Sequence, residues 1–209
     1  VHGIHLNRDG PSSLAWQHYY GEVYVVPGVV VDAIVIEDID GDGVTELVYN
    51  VRDPEQDFRS FVRIRDANTG EIEAELADTW CVDAVILGLE EQWALLTYSA
   101  PNGAMPERGD LSVRTISKSK GLREILVLPS AHLWGPSTIM GQLLVRQWTN
   151  TGSVLVRYAL KEGTLTQVAT SSDPSLVANP IKEIVELTDG PAFIVRHNGS
   201  VKMILLSGD

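Results

Sequence analysis

Four polar turns ending in glycine, at Gly70, Gly121, Gly163 and Gly208, recur along this 209-residue chain at spacings of 51, 42 and 45 residues. They punctuate runs in which apolar and polar residues alternate: "FVRIRDANTGEIEAEL", "LSVRTISKSKGLREILVL", "VLVRYALKEGTLTQVA" and the closing "VKMILLSGD". Alternation of period two marks strands, and a short hairpin that keeps the strand twist needs a residue at positive φ. In "RDANTGE", Asp66 is expected to open the turn and Gly70 to take the left-handed position. Further runs, among them "DAIVIE", "TELVYNV", "DAVILG", "WALLTYS", "QLLVRQW", "KEIVEL" and "AFIVRH", have the length and composition of strands, and helical periodicity is hard to find anywhere. The chain reads as all-β.

The turn spacing suits one four-stranded blade of a β-propeller. Before each turn lies a pair of apolar runs, such as "VDAVILGLEEQWALLTYS", which would supply the inner strands of a blade. "GIHLNRDGPSSLAWQ" would be the outer pair of an earlier blade, with Gly10 at its turn. Residues 1–209 are therefore expected to form a single β-propeller domain of about four to five four-stranded antiparallel blades, or a piece of a larger ring. A β-sandwich is the alternative that strand number alone leaves open.

A formal net charge of -12 argues against nucleic acid or an anionic membrane surface as a direct partner. The longest apolar stretch, "VYVVPGVVVDAIVI", is broken by Pro27 and Asp32 and falls short of the roughly 20 residues of a spanning helix, so no membrane insertion is expected. Cys81 is the only cysteine, which excludes an internal disulfide and a cysteine-built zinc site. Its setting, "DTWCVDAVILG", predicts a packed thiol at the start of a buried strand. The chain opens at Val1 without a basic-then-apolar leader, the expectation for a processed protein or a fragment.

The most specific local pattern is "IEDIDGDGVTELVYN", residues 36–50. Asp38, Asp40 and Asp42 stand at alternate positions, Gly41 and Gly43 allow tight curling, the carbonyl of Val44 can face inward, and Glu46 follows. Carboxylates so spaced can aim their oxygens at one centre, and calcium takes six to eight oxygen ligands. Three like charges within five residues repel one another, which a bound cation offsets. An EF-hand is excluded, because the twelfth position from Asp38 is Tyr49 where a bidentate Glu is required, and both flanks read as strands. The competing reading is a solvated turn held by side chain to backbone hydrogen bonds.

"DIDGDGVTELV" resembles the calcium loop of FG-GAP and VCBS propellers, the family that includes the integrin α-subunit head. The resemblance implies a Ca2+ site with side-chain oxygens from Asp38, Asp40, Asp42 and Glu46 and a carbonyl from Val44, with Glu46 replacing the family's usual final Asp. It further implies an extracellular or cell-envelope protein, secreted or periplasmic, acting as a binding or scaffold module for a protein or carbohydrate ligand. "VRIRDANTGEIEAEL" separately resembles the blade signature of quinoprotein-like propellers, with Leu76 in place of the usual aromatic. Rhamnogalacturonan lyases, calcium-bearing propellers whose acidic loops also end in Glu, supply the alternative of a polysaccharide-degrading enzyme.

No catalytic constellation stands out. His2, His5, His18, His132 and His197 are scattered, with no HExxH and no GxSxG elbow. Trp16, Trp80, Trp93, Trp134 and Trp148 are expected to pack between blades, Trp134 in "HLWGPS" being the best candidate for exposure. Asn198 in "NGS" fits a hairpin turn better than a glycosylation site.

Overall fold

The computed structural model describes residues 2–5, 13–17, 31–53, 56–88, 91–100, 109–117, 121–133, 138–139, 141–174, 181–187, 190–197 and 200–205. Its regular elements among these residues are seventeen β-strands in four sheets, and the described pairings are antiparallel. The chain is all-β. No helix among the described residues is long and apolar enough to cross a membrane. The backbone divides into two compact units, one made of Val1–Ala84, Leu95–Pro106 and Arg114–Arg123, the other of Val85–Ala94, Glu107–Val113 and Glu124–Asp209.

In the first unit, β1 (His2–His5) pairs with β2 (Ser13–Gln17), as the N-terminal segment suggests. Gly10 lies outside the described residues. A four-stranded meander follows, β3 (Val31–Glu37), β4 (Glu46–Asp53), β5 (Arg59–Asp66) and β6 (Ile72–Ala77), paired in chain order. Its third connection is the turn anticipated from sequence. Asp66 Oδ1 accepts the backbone N–H of Asn68 (2.6 Å) and Thr69 (3.0 Å), and Gly70 returns its N–H to the Asp66 carbonyl (2.8 Å). Gly70 has a φ of 77°, where a Cβ would be strained.

Strands β4 and β5 are buried on both faces, which alternation in "RSFVRIRD" would not suggest. Tyr49, Val51 and Phe61 form an apolar cluster with Leu47, and the register sets Tyr49 against Arg63 and Leu47 against Arg65. Both arginines are therefore drawn into the core. Arg63 bonds Asp53 Oδ2 at 2.8 Å and Glu75 Oε2 at 2.5 Å and lies 4.9 Å over the Phe61 ring. Arg65 donates to the Tyr49 hydroxyl at 2.7 Å and to the Gly70 carbonyl. Buried guanidinium groups persist because each finds oxygens in the fork geometry it needs.

Strand β7 (Thr79–Leu87) carries the buried Cys81 near its start, in accord with its sequence setting. Asn50 of β4 reaches Cys81 twice: its Nδ2 donates to the Cys81 carbonyl and its Oδ1 accepts the Cys81 N–H, both at 2.7 Å. Burial pushes the Cys81 thiol up to about 12, and its Sγ contacts the Asp83 carbonyl at 3.2 Å.

The remaining strands are β8 (Gln92–Ser99), β9 (Gly109–Ser117), β10 (Gly121–His132), β11 (Thr138–Ile139), β12 (Gln142–Thr149), β13 (Gly152–Lys161), β14 (Thr164–Ser171), β15 (Ile181–Leu187), β16 (Gly190–His197) and β17 (Ser200–Leu205). The turn spacing divides β7 to β14 into two blades. They run instead along one eight-stranded sheet in the order β14-β13-β12-β10-β9-β8-β7, with β11 beside β12. The junction is the pairing of Ala131 with Gln147 and His132 with Arg146. At 12 residues β10 is longer than the 9-residue β9, so backbone groups at its end are left to pair elsewhere. Strands β15, β16 and β17 form a separate three-stranded sheet, and no sheet closes on itself among the described residues.

Leu143, Val145, Val156 and Tyr158 bury one face of β12 and β13 in the second unit. Glu162 and Gly163, with φ of 50° and 72°, make the two-residue turn between β13 and β14, which pairs Lys161 with Thr164. Gly121 also has positive φ, at 63°, whereas Gly208 lies outside the described residues.

Candidate metal centre

The acidic loop joins β3 to β4, and its ends are clasped where Glu37 pairs with Glu46. Gly41 and Gly43, at φ of 79° and 88°, let residues 38–44 coil back on themselves. Asp38 organises the coil. Its Oδ1 accepts the N–H of Gly41 (2.8 Å) and Asp42 (3.1 Å), and its Oδ2 that of Gly43 (2.9 Å). Asp40 Oδ1 accepts from Asp42 N at 3.1 Å, and Asp42 Oδ1 from Val44 N at 2.8 Å.

The coil brings Asp38, Asp40, Asp42 and Glu46 together, with one oxygen of each within 4.8 Å of the others. The three aspartates are half-buried and Glu46 is fully buried. Glu46 Oε2 accepts the N–H of Ile39 at 2.8 Å, tying the first residue of β4 back to the loop. Val44 is tied to the loop by its N–H, which Asp42 Oδ1 accepts as above. Backbone donors use only part of the acceptor capacity of each carboxylate, which has about four lone-pair sites. The all-oxygen set suits a hard divalent ion and offers no soft ligand for copper or zinc.

Burial pushes Glu46 up to about 7, against the Ile39 N–H, and the negative charges of Glu73, Asp40 and Asp38 raise it further. Partial desolvation also raises Glu73, helped by Asp40, Asp66 and Asp42. Asp66 is lowered, chiefly by the Thr69 N–H, although Asp42 opposes this. Five carboxylates besides Glu46 thus act within one electrostatic neighbourhood, and no cationic side chain is among the causes of these shifts.

Glu73 is a residue the loop pattern does not reveal. It stands on β6, two strands from the loop in the order β3-β4-β5-β6. The alternating acids Glu71, Glu73 and Glu75 were the available signal, but the pairing that brings Glu73 towards Asp40 is a property of the folded sheet. Equally, the "RDANTG" turn and the acidic loop lie together: Ala67 donates its N–H to the Thr45 carbonyl at 2.8 Å, and Asp66 pairs with Glu46 across β4 and β5.

Other sequence candidates fall elsewhere. His132 is half-buried and lowered by burial and by Arg146. Trp80, Trp93 and Trp148 are half-buried, while His18, Trp134 and Asn198 lie outside the described residues. In the second unit a cavity of about 310 Å³ is lined by Leu87, Gly88, Gln92, Leu160, Lys161, Glu162 and Gly163, without a nucleophile and base in partnership among these residues. No protein family matches this chain, and no curated protein does.

Proposed function

We propose that this chain is a non-catalytic, calcium-stabilised β-propeller module of the FG-GAP/VCBS kind. It serves outside the cell or in the cell envelope as a binding or scaffold unit for a protein or carbohydrate partner. The reading is carried by the convergence of Asp38, Asp40, Asp42 and Glu46, one oxygen of each within 4.8 Å of the others. That cluster lies between the first two strands of a four-stranded antiparallel meander, the position a calcium loop occupies in the family the motif resembles. Calcium is favoured over magnesium because carboxylates with a neighbouring carbonyl can supply six or more oxygens without strict octahedral geometry.

The ion's work on this reading is structural. It offsets repulsion among buried and half-buried carboxylates and so fixes the link between β3 and β4, leaving other surfaces for ligand. Millimolar calcium outside cells suits such a site, and a chain of net charge -12 suits a partner that is neutral or basic. Isothermal titration calorimetry with calcium tests the proposal. Saturable binding in the wild type and its loss in Asp40→Ala are expected. The absence of binding and of any thermal shift in millimolar calcium would reject it.

A further inference from the structure

In the second unit, two turns far apart in sequence meet around the cavity of about 310 Å³. That volume is at the lower end of the roughly 300–1,000 Å³ that small-molecule sites span. The connection from β7 to β8 gives the cavity Leu87, Gly88 and Gln92, and the end of β13 with its turn gives Leu160, Lys161, Glu162 and Gly163. Gly88 sets how closely the two approach. Its N–H donates to the Gly141 carbonyl at 2.9 Å, and a Cβ at position 88 would stand 3.4 Å from Leu160 Cβ. Burial grades from the fully buried Leu87 through the half-buried Leu160 and Gln92 to the exposed Lys161, Glu162 and Gly163, so the cavity opens to solvent beside the β13–β14 turn.

The mouth carries one charge of each sign on adjacent residues. Among the described residues, the Lys161 ammonium and the Glu162 carboxylate form no ion pair, and the Gln92 amide has no hydrogen-bond partner. Glu162 also stands where its residue type is disfavoured. A two-residue turn with positive φ at both positions favours Asn or Gly, yet position 162 holds a glutamate at a φ of 50°. Glu91, next to Gln92 in the other turn, is held at 51°. Side chains kept in this backbone region cluster at ligand clamps. An anion would be drawn to Lys161 but opposed by Glu162 and Glu91, a cation would be opposed by Lys161, and a neutral apolar molecule would gain nothing from either charge. A small zwitterion with an apolar body meets each group with its complement.

We propose that this cavity binds an α-amino acid with an aliphatic side chain. Lys161 takes the carboxylate, Glu162 takes the ammonium group, Leu87 and Leu160 cover the side chain, and the Gln92 amide bonds the polar end. The acidic loop belongs to the first unit, so this site stands or falls independently of calcium binding.

The methyl resonances of Leu160 in the full chain, assigned through Leu160→Ile, give the direct test in titrations with L-leucine, L-leucinamide and 4-methylpentanoate. L-Leucine is expected to shift them saturably. Leucinamide, which lacks the carboxylate, and 4-methylpentanoate, which lacks the ammonium group, should each bind roughly tenfold more weakly or worse, the worth of one charge-assisted hydrogen bond. Lys161→Gln should remove the preference for leucine over leucinamide. Glu162→Asn should remove the preference over 4-methylpentanoate while raising the melting temperature, because Asn suits the turn's positive φ; a merely structural Glu162 would leave ligand preference unmoved. Leu160 methyl signals that stay fixed at saturating leucine overturn the proposal. So does equal binding of 4-methylpentanoate, which would make the cavity a simple apolar recess, or of leucinamide, which would deny Lys161 its role.

Discussion

Ala67 donates its backbone N–H to the carbonyl of Thr45 at 2.8 Å, which bonds the turn after β5 to the loop before β4. Two motifs more than twenty residues apart thereby become one structural end of the meander. Order in the turn is order in the acidic loop.

Removing calcium should cost stability through the loop. A ligand at a hundred times its dissociation constant adds about 2.7 kcal/mol, which for a domain of this size is a melting shift of roughly 5 to 10 °C. Differential scanning calorimetry with calcium or with EGTA should show that gap in wild type. In Asp40→Ala the two melting curves should coincide.

The coupling through Ala67 predicts that damage to the turn is felt at the loop. Gly70 has a φ of 77°, so Gly70→Ala should destabilise by about 1 to 2 kcal/mol and weaken calcium binding although residue 70 offers no ligand. Urea unfolding and calcium titration of the same variant test both parts. An unchanged calcium affinity would show that the turn and loop act separately.

Asn50 completes the backbone pairing of Cys81 with two buried hydrogen bonds of 2.7 Å. Asn50→Ala leaves a buried N–H and a buried C=O without partners, at a cost of roughly 2 to 5 kcal/mol. The midpoint of urea denaturation should fall accordingly. A loss below 1 kcal/mol would mean that the strands relax to replace these bonds.

Cys81 has its thiol pushed up to about 12 from an ordinary 9.0 by burial. Native protein should therefore resist a disulfide reagent at pH 8 and react fully once unfolded. The folded thiol holds its proton where the unfolded thiol has lost it. Its contribution to stability is thus present below pH 9.0 and declines as pH rises towards about 12. Cys81→Ala should lessen the part of the alkaline loss of stability due to this thiol, as followed by denaturant unfolding at successive pH values.

The local parts of this protein were legible in its residues. The strand runs, the opening of the turn by Asp66, the left-handed Gly70 and the packed Cys81 follow from alternation and short-range backbone chemistry. So does the gathering of Asp38, Asp40, Asp42 and Glu46, because nine consecutive residues with two glycines can bring carboxylates together without help from distant chain. Arrangements that depend on register were not legible. The ladder from β10 to β12 that joins two expected blades, the burial of Arg63 and Arg65, and the approach of Glu73 to the acidic loop all arise from pairing between distant strands. A strand's own sequence states which residues alternate. Which partner lies alongside, and whether the second face is also covered, is settled only when the whole sheet minimises unpaired backbone and uncompensated charge.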